Sequence, residues 1–138
     1  MSQILSTAAD DSPWIAVIDD EPSVRRSLAR LLKAHGIRAE CFGSAEDYLQ
    51  RTSIGEPHCI LLDVELPDGL NGLDLQDCLQ DEGACPPIVF MTGQDQIRPA
   101  FLLRCPELSG CLRKPFDMSR LLARVGPHLQ TAAAGQLM

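Results

Sequence analysis

Acidic, hydroxyl and amino side chains stand directly after four separate apolar runs of this sequence. They are Asp19 and Asp20, then Asp63, Thr92 and Lys114. Several carboxylates in one crevice repel one another and are best held by a hard divalent cation, and oxygen ligands open to water favour Mg²⁺. A carboxylate beside Mg²⁺, a hydroxyl and an ammonium can accept a phosphoryl group, because the two cations neutralise its charge and the hydroxyl can donate to its oxygens. The set therefore predicts phosphoryl chemistry, provided that the fold brings it together.

The run that ends at Asp63 is the most informative of the four. Residues 59–62 are apolar without alternation, which is typical of a strand buried on both faces of a parallel sheet. Pro67 and Gly69 then mark a loop. Asp63 is thus predicted at the carboxyl end of a central strand, where ligands bind in open α/β sheets.

Apolar strands alternate with amphipathic helices along the chain. Other strands are predicted at residues 14–18, 37–42, 88–91 and 110–113, and helices at 22–36, 44–50, 73–81, 99–105 and 118–129. In the first helix, Arg25, Arg26, Arg30 and Lys33 are predicted to face outward. The alternation predicts an α/β fold, a doubly wound five-stranded parallel sheet with helices on both faces. We expect a flexible leader at residues 1–13, one domain at 14–130 and a frayed tail at 131–138.

Composition narrows the class of function. The net charge of -7 and the 4% of aromatic residues disfavour direct binding of nucleic acid, which needs a basic footprint or stacking platform. No apolar run approaches the roughly 20 residues that span a membrane, and no secretion signal is visible, so we expect a cytoplasmic chain. The six cysteines show no zinc-type spacing. Cys41, Cys59, Cys78 and Cys111 are predicted to pack as small hydrophobic residues.

Each candidate residue also has a plain structural interpretation. Asp19 and Asp20 could favour the N-terminus of the following helix through its dipole. Thr92 could be a turn residue, and Asp63 could belong to an acidic surface loop. Acids, a hydroxyl and a lysine at four different strand ends are harder to explain by chance than any one of them.

Taken together, these motifs resemble the receiver domain of two-component response regulators, with a CheY-like (flavodoxin-like) fold. The resemblance covers residues 14–129 and is carried by four segments, which are 18–21 (Ile-Asp-Asp-Glu), 62–67 (Leu-Asp-Val-Glu-Leu-Pro), 91–93 (Met-Thr-Gly) and 112–116 (Leu-Arg-Lys-Pro-Phe). Residues 24–28 and 42–46 look most like receivers attached to LuxR-type transcription factors.

The resemblance implies a signalling domain rather than an enzyme. Asp63 would accept a phosphoryl group from a histidine kinase or phosphotransfer protein, and Lys114 and Thr92 would contact that group. Asp20, Asp63 and the backbone carbonyl of Glu65 would bind Mg²⁺ directly, and Asp19 through a water molecule. Phosphorylation would then switch a face that binds a downstream effector protein or, through residues 99–129, a second copy of the chain.

Three features depart from the family pattern. Cys111 occupies the place, three residues before Lys114, where the family usually carries a switch aromatic, so the switch is weakened or rebuilt and the thiol could be redox-sensitive. The loop at residues 67–72 is one residue longer and adds Asp68. Pro99 and Pro106 shorten the fourth helix, and residues 101–103 are either core or a partner-binding patch.

Other functions remain open from the sequence. One is a receiver-like scaffold that works without phosphorylation, and another is the receiver fragment of a longer transcription factor. A Mg²⁺-dependent phosphohydrolase is disfavoured, because its acids usually stand two apart on the first strand whereas here they are adjacent. A flavin site is disfavoured because the first loop is acidic and lacks a phosphate cradle.

Overall fold

A five-stranded parallel sheet, with strand order β2-β1-β3-β4-β5, forms the centre of the computed structural model. The structure describes residues 13–51 and 55–137, and their side chains as far as residue 129. The strands are β1 (Trp14–Ile18), β2 (Arg38–Phe42), β3 (Cys59–Asp63), β4 (Ile88–Thr92) and β5 (Leu112–Arg113). The chain runs from β1 outward to β2 and then back to β3 on the other side of β1. The crevice at the carboxyl ends of β1 and β3 is therefore the topological switch point of the sheet, and the predicted fold class is confirmed.

Helices follow the strands and begin where the sequence supplies starting signals. They are α1 (Pro22–Ala34), α2 (Ala45–Leu49), α3 (Gly72–Asp81), α4 (Pro99–Arg104) and α5 (Met118–Leu137). Ser44 caps α2 by accepting from the backbone N–H of Asp47 at 3.0 Å. Asn71 and Asp74 form a capping box at the start of α3. Since α3 begins soon after β3, this box also fixes the end of the loop that follows Asp63.

Two apolar layers, one on each face of the sheet, bury the central strands β1 and β3 completely. On one face, Leu28 and Leu32 of α1 and Leu121 and Val125 of α5 pack against β1 and β3. On the other, side chains of α2, α3 and α4 do so, among them Tyr48, Leu73, Leu75, Leu79 and Phe101. All five residues of β1 and of β3 are buried, which explains their apolar runs without alternation. Packed side chains therefore enclose both strands up to their carboxyl ends.

The connection between α4 and β5 differs from the prediction. A 3₁₀-helix (Pro106–Gly110) occupies it, and β5 contains two residues rather than the predicted residues 110–113. Pro106 ends α4, as expected, because it lacks an N–H. The N–H of Leu108 then donates to the carbonyl of Cys105, and the N–H of Cys111 donates to the carbonyl of Leu108. Cys111 therefore caps the 3₁₀-helix and does not belong to the strand.

The two ends of the chain and one cysteine require comment. The predicted leader lies outside the described residues apart from Pro13. The backbone of α5 continues to Leu137, across the region predicted to fray, and fraying stays a prediction. Cys41 is exposed on the edge strand β2, so the prediction that it packs inside is wrong. In the described part of the chain, no helix combines the length and the apolar character that crossing a bilayer requires.

Candidate functional site

The carboxyl ends of β1, β3, β4 and β5 meet at one edge of the sheet because these strands are parallel. Three residues there are buried, with exposed fractions of 0% for Asp19, 5% for Asp63 and 1% for Thr92. Asp20 is exposed beside them, and Lys114 follows β5. The structure thus gathers all five predicted side chains at this edge, although their proposed roles stay predictions.

Lys114 connects the two buried carboxylates. Its Nζ lies 3.1 Å from Asp63 Oδ2 and 2.5 Å from Asp19 Oδ2. Its backbone N–H donates to the carbonyl of Thr92 at 2.8 Å, which places it beside the end of β4. The ammonium therefore supplies a positive charge between two carboxylates that would otherwise repel each other.

The same local turn follows three of the strands. Asp19 Oδ1 accepts from the N–H of Glu21 at 2.9 Å, and Asp63 Oδ1 accepts from the N–H of Glu65 at 2.9 Å. Thr92 Oγ1 accepts from the N–H of Gln94 at 3.1 Å. Such bonds two residues along the chain are characteristic of Asp and Thr at turns. They lock each side chain in one orientation, so that Oδ2 of both carboxylates points toward the lysine.

Burial and charge shift two pKa values in this cluster. Burial raises the pKa of Asp63 above its ordinary value, against the opposing effects of the Glu65 N–H and the Lys114 ammonium. Burial alone would lower the pKa of Lys114, but its hydrogen bonds and charge interactions with Asp19 and Asp63 outweigh burial and raise it. The lysine is thus cationic at neutral pH. Burial disfavours the charged form of Asp63, so its ionisation costs folding free energy.

The acids fit a hard divalent cation. Asp19, Asp20 and Asp63 each offer a carboxylate oxygen, and these oxygens lie within 4.8 Å of one another. The set contains only oxygen donors and one exposed member, which matches the preference of Mg²⁺ for carboxylates together with water. Glu65, whose backbone carbonyl was a further predicted ligand, turns its side chain toward Arg98 at 3.5 Å.

Two residues of this region were not predicted from the sequence. Arg25 was predicted to face outward, but it is partly buried and its Nη1 donates to the backbone carbonyl of Asp19 at 2.7 Å. Glu46 accepts from the N–H of Leu70 at 2.9 Å and so holds the loop after Asp63. Both lie on helices next to the site, and helical periodicity alone cannot show that a long side chain reaches a neighbouring loop.

The longer loop after β3 has a defined backbone. Asp68 has a φ of 54° and Gly69 a φ of 123°, and both belong to the left-handed region. A Cβ at Gly69 would lie 2.5 Å from Glu46 Oε2. Asp68 itself is exposed. The extra residue is accommodated by the tight turn.

The structure also describes the two other departures from the family pattern, at Cys111 and at α4. Cys111 is half-buried and lines a cavity of about 220 Å³ with Phe90 and Cys105, and burial raises the pKa of its thiol. This favours the unreactive interpretation over a redox-sensitive one. In α4, Phe101 is buried whereas Leu103 is 86% exposed, so the apolar run at residues 101–103 is divided between core and surface.

The sequence matches the family model of the response regulator receiver domain over residues 15–126. Nodulation protein W of Bradyrhizobium diazoefficiens is 37% identical over 119 residues, which are 86% of this chain and 52% of that protein. The transcriptional regulatory protein FixJ of Azorhizobium caulinodans is 34% identical over 119 residues, 86% of this chain and 56% of that protein. The chain thus spans about half the length of these relatives.

A solved structure agrees with these matches. The response regulator receiver protein from Burkholderia phymatum superposes with a TM-score of 0.67 at 34% identity, covering 86% of this chain and 96% of that one. The similarity therefore extends over nearly the whole of that receiver protein.

Proposed function

This chain belongs to the response regulator receiver domains of two-component systems, and we propose that Asp63 accepts a phosphoryl group. The contact of Asp63 with Lys114, beside the buried Asp19, carries the proposal. A buried carboxylate with a cation 3.1 Å from one oxygen is oriented as a nucleophile, and the same cation can stabilise the charge that a phosphoryl group brings.

In the proposed step, an oxygen of Asp63 bonds to phosphorus while the P–N bond of a donor phosphohistidine breaks. The histidine nitrogen leaves with the electron pair of that bond and is protonated from water. Lys114 stabilises the phosphoryl oxygens. The Thr92 oxygen already accepts from Gln94, so its hydroxyl proton remains available to donate to the phosphoryl group.

We propose that Asp19, Asp20, Asp63 and the backbone carbonyl of Glu65 hold one Mg²⁺ ion. When bound, Mg²⁺ neutralises negative charge on the acids and on the phosphoryl group. The charge balance supports this, because Lys114 alone leaves two of the three negative charges of the aspartates uncompensated.

Mg²⁺ should raise the melting temperature of the metal-free protein, since it binds the folded state only. At ten times its dissociation constant the ion adds about 1.4 kcal/mol, or a few degrees. Asp20→Asn should remove most of this gain without lowering the stability of the metal-free protein, because Asp20 is exposed. Differential scanning calorimetry in EDTA and in Mg²⁺ measures both, and an unchanged wild-type melting curve would contradict the metal site.

The phosphoryl acceptor is tested by incubating the protein with acetyl phosphate and Mg²⁺ and weighing it intact. We expect the mass of one added phosphoryl group, its absence in Asp63→Asn, and its presence in Asp68→Asn. The last variant is a matched control, since Asp68 is an exposed acid of the following loop. Equal labelling of Asp63→Asn and wild type would overturn the assignment.

Receiver domains of response regulators work with histidine kinases and effectors. For this chain we propose a histidine kinase or phosphotransfer protein as donor, an effector protein as output, and a cytoplasmic location. FixJ is by its name a transcriptional regulator, and this chain matches about half of its length. We therefore also propose a transcriptional output. If Mg²⁺ binds but no phosphoryl group is taken up, the phosphorylation-independent scaffold becomes the better hypothesis.

A further inference from the structure

Arg25 reaches from the first turns of α1 to the loop that carries two of the three acids. Its Nη1 donates to the backbone carbonyl of Asp19 at 2.7 Å. We propose that Arg25 is a positioning residue, which holds the Asp19–Asp20 segment in the geometry that binds Mg²⁺. The inference rests on the magnesium site of the proposed function and adds to it a residue that is not itself a ligand.

The bond matters because of where it acts on the backbone. The carbonyl of Asp19 belongs to the peptide group that joins Asp19 to Asp20. The next peptide group is held as well, since the N–H of Glu21 donates to Asp19 Oδ1 at 2.9 Å. Both peptide groups that flank Asp20 are therefore fixed. Asp20 is the exposed acid of the three, so packing restricts its side chain least. The position of its carboxylate therefore depends most on these two backbone hydrogen bonds.

Gly43 leaves the space that the guanidinium occupies. A Cβ at this position would lie 3.3 Å from Arg25 Nη1 and 3.7 Å from Asp47 Oδ2. The backbone of Gly43 lies outside the left-handed region, so alanine is acceptable to the backbone there. An added methyl group would press on the guanidinium of Arg25. The carboxylate of Asp47, which lies near the same Cβ position, would attract the displaced guanidinium.

The direction of the effect separates positioning from simple electrostatics. A guanidinium close to a cation site repels Mg²⁺, so deleting it should tighten binding if charge were its sole influence. If Arg25 holds the Asp19–Asp20 backbone, deleting it should weaken binding in spite of the lost repulsion. The two roles therefore predict opposite signs.

The experiment is isothermal titration calorimetry of Mg²⁺ into the metal-free protein. We expect Arg25→Ala to bind about tenfold more weakly, in the range found when residues behind a metal ligand are lost. Arg26→Ala is the matched control, because Arg26 is the next residue of α1 and is exposed, and no hydrogen bond or ion pair of its side chain is found among the described residues. It should bind at least as tightly as wild type. Wild-type or tighter binding by Arg25→Ala would overturn the inference.

A second variant keeps the test valid if Arg25→Ala unfolds. Gly43→Ala retains the arginine and should weaken Mg²⁺ binding several-fold. In a folded Arg25→Ala background the same change should add nothing, since no guanidinium remains to be displaced. Wild-type affinity in Gly43→Ala, or additive effects of the two changes, would overturn the inference.

Failure of the inference about Arg25 is distinguishable from failure of the proposed function. Absence of Mg²⁺ binding to the wild-type protein would remove the metal site and the inference together. Binding to the wild type with unchanged affinity in Arg25→Ala and Gly43→Ala would remove the inference alone. Hydrogen exchange at the amides of Asp20 and Glu21 without metal gives an independent readout, and it should accelerate in Arg25→Ala and stay unchanged in Arg26→Ala.

Discussion

At the scale of single residues, the site is defined by one cation shared between two buried carboxylates. Lys114 offsets part of the repulsion between Asp19 and Asp63, and three turns after the strands fix the acceptor oxygens. Burial nevertheless keeps the pKa of Asp63 above its ordinary value. The charge that the proposed chemistry needs is thus maintained at the expense of stability, as is common at functional sites.

This predicts that Asp63→Asn makes the metal-free protein more stable at neutral pH. A raised folded-state pKa means that the stability contributed by the protonated carboxyl is present at low pH. It is lost as the pH rises through that pKa. The advantage of the variant should therefore disappear as the pH falls below the ordinary value of 3.8.

Urea denaturation in EDTA between pH 3 and pH 8 checks this. Asp68→Asn, which changes an exposed acid in the next loop, should follow the wild type at every pH. An Asp63→Asn variant that is less stable than the wild type at pH 7 would show that the carboxylate is a net stabilising group.

At the scale of elements, the loop after β3 and the helix α4 carry two of the three departures from the family pattern. The loop is tied to α2 by the bond from Leu70 to Glu46. The helix is tied at both ends, by Arg98 to Glu65 at 3.5 Å and by Arg104 to Asp74 and Asp77 at 2.8 Å each. Ion pairs at the surface thus connect both ends of the short helix to neighbouring elements.

Gly69→Ala should lower the free energy of unfolding by about 2 kcal/mol. Alanine at a φ of 123° is strained, and its Cβ would lie 2.5 Å from Glu46 Oε2. Gly110→Ala is the control, because no heavy atom lies within 4 Å of its Cβ and its φ is not left-handed. Chemical denaturation compares the two, and equal stability would show that the loop adjusts without cost.

At the scale of the whole molecule, much of the architecture could be predicted from the chain. Continuous apolar runs identify β1, β3 and β4, because strands buried on both faces have no polar side to alternate with. The 3₁₀-helix before β5 could not be predicted, since it depends on how Pro106 closes a short turn. Arg25 was missed because its contact joins α1 to a loop beside it, and periodicity describes only which face of a helix is apolar.

The exposed apolar residue of α4 leads to a prediction about association. If the face of residues 99–129 binds a second copy, Mg²⁺ and acetyl phosphate should convert the 15.1 kDa chain to a dimer in sedimentation velocity. Leu103→Asp should prevent this and change stability by less than about 0.5 kcal/mol, because Leu103 is 86% exposed. Ala84→Asp, at an exposed position before β4, should dimerise normally, and dimerisation of Leu103→Asp would exclude this face.

Only one of the six residues of α4, Phe101, is buried. Substitutions at most of its other positions therefore cost the fold little, and none of those positions belongs to the proposed phosphoryl site. Over evolutionary time, partner choice could diverge through this helix while the chemistry at the strand ends is left untouched. Such a separation would allow duplicated copies to acquire new signalling partners without first losing the proposed phosphoryl acceptor.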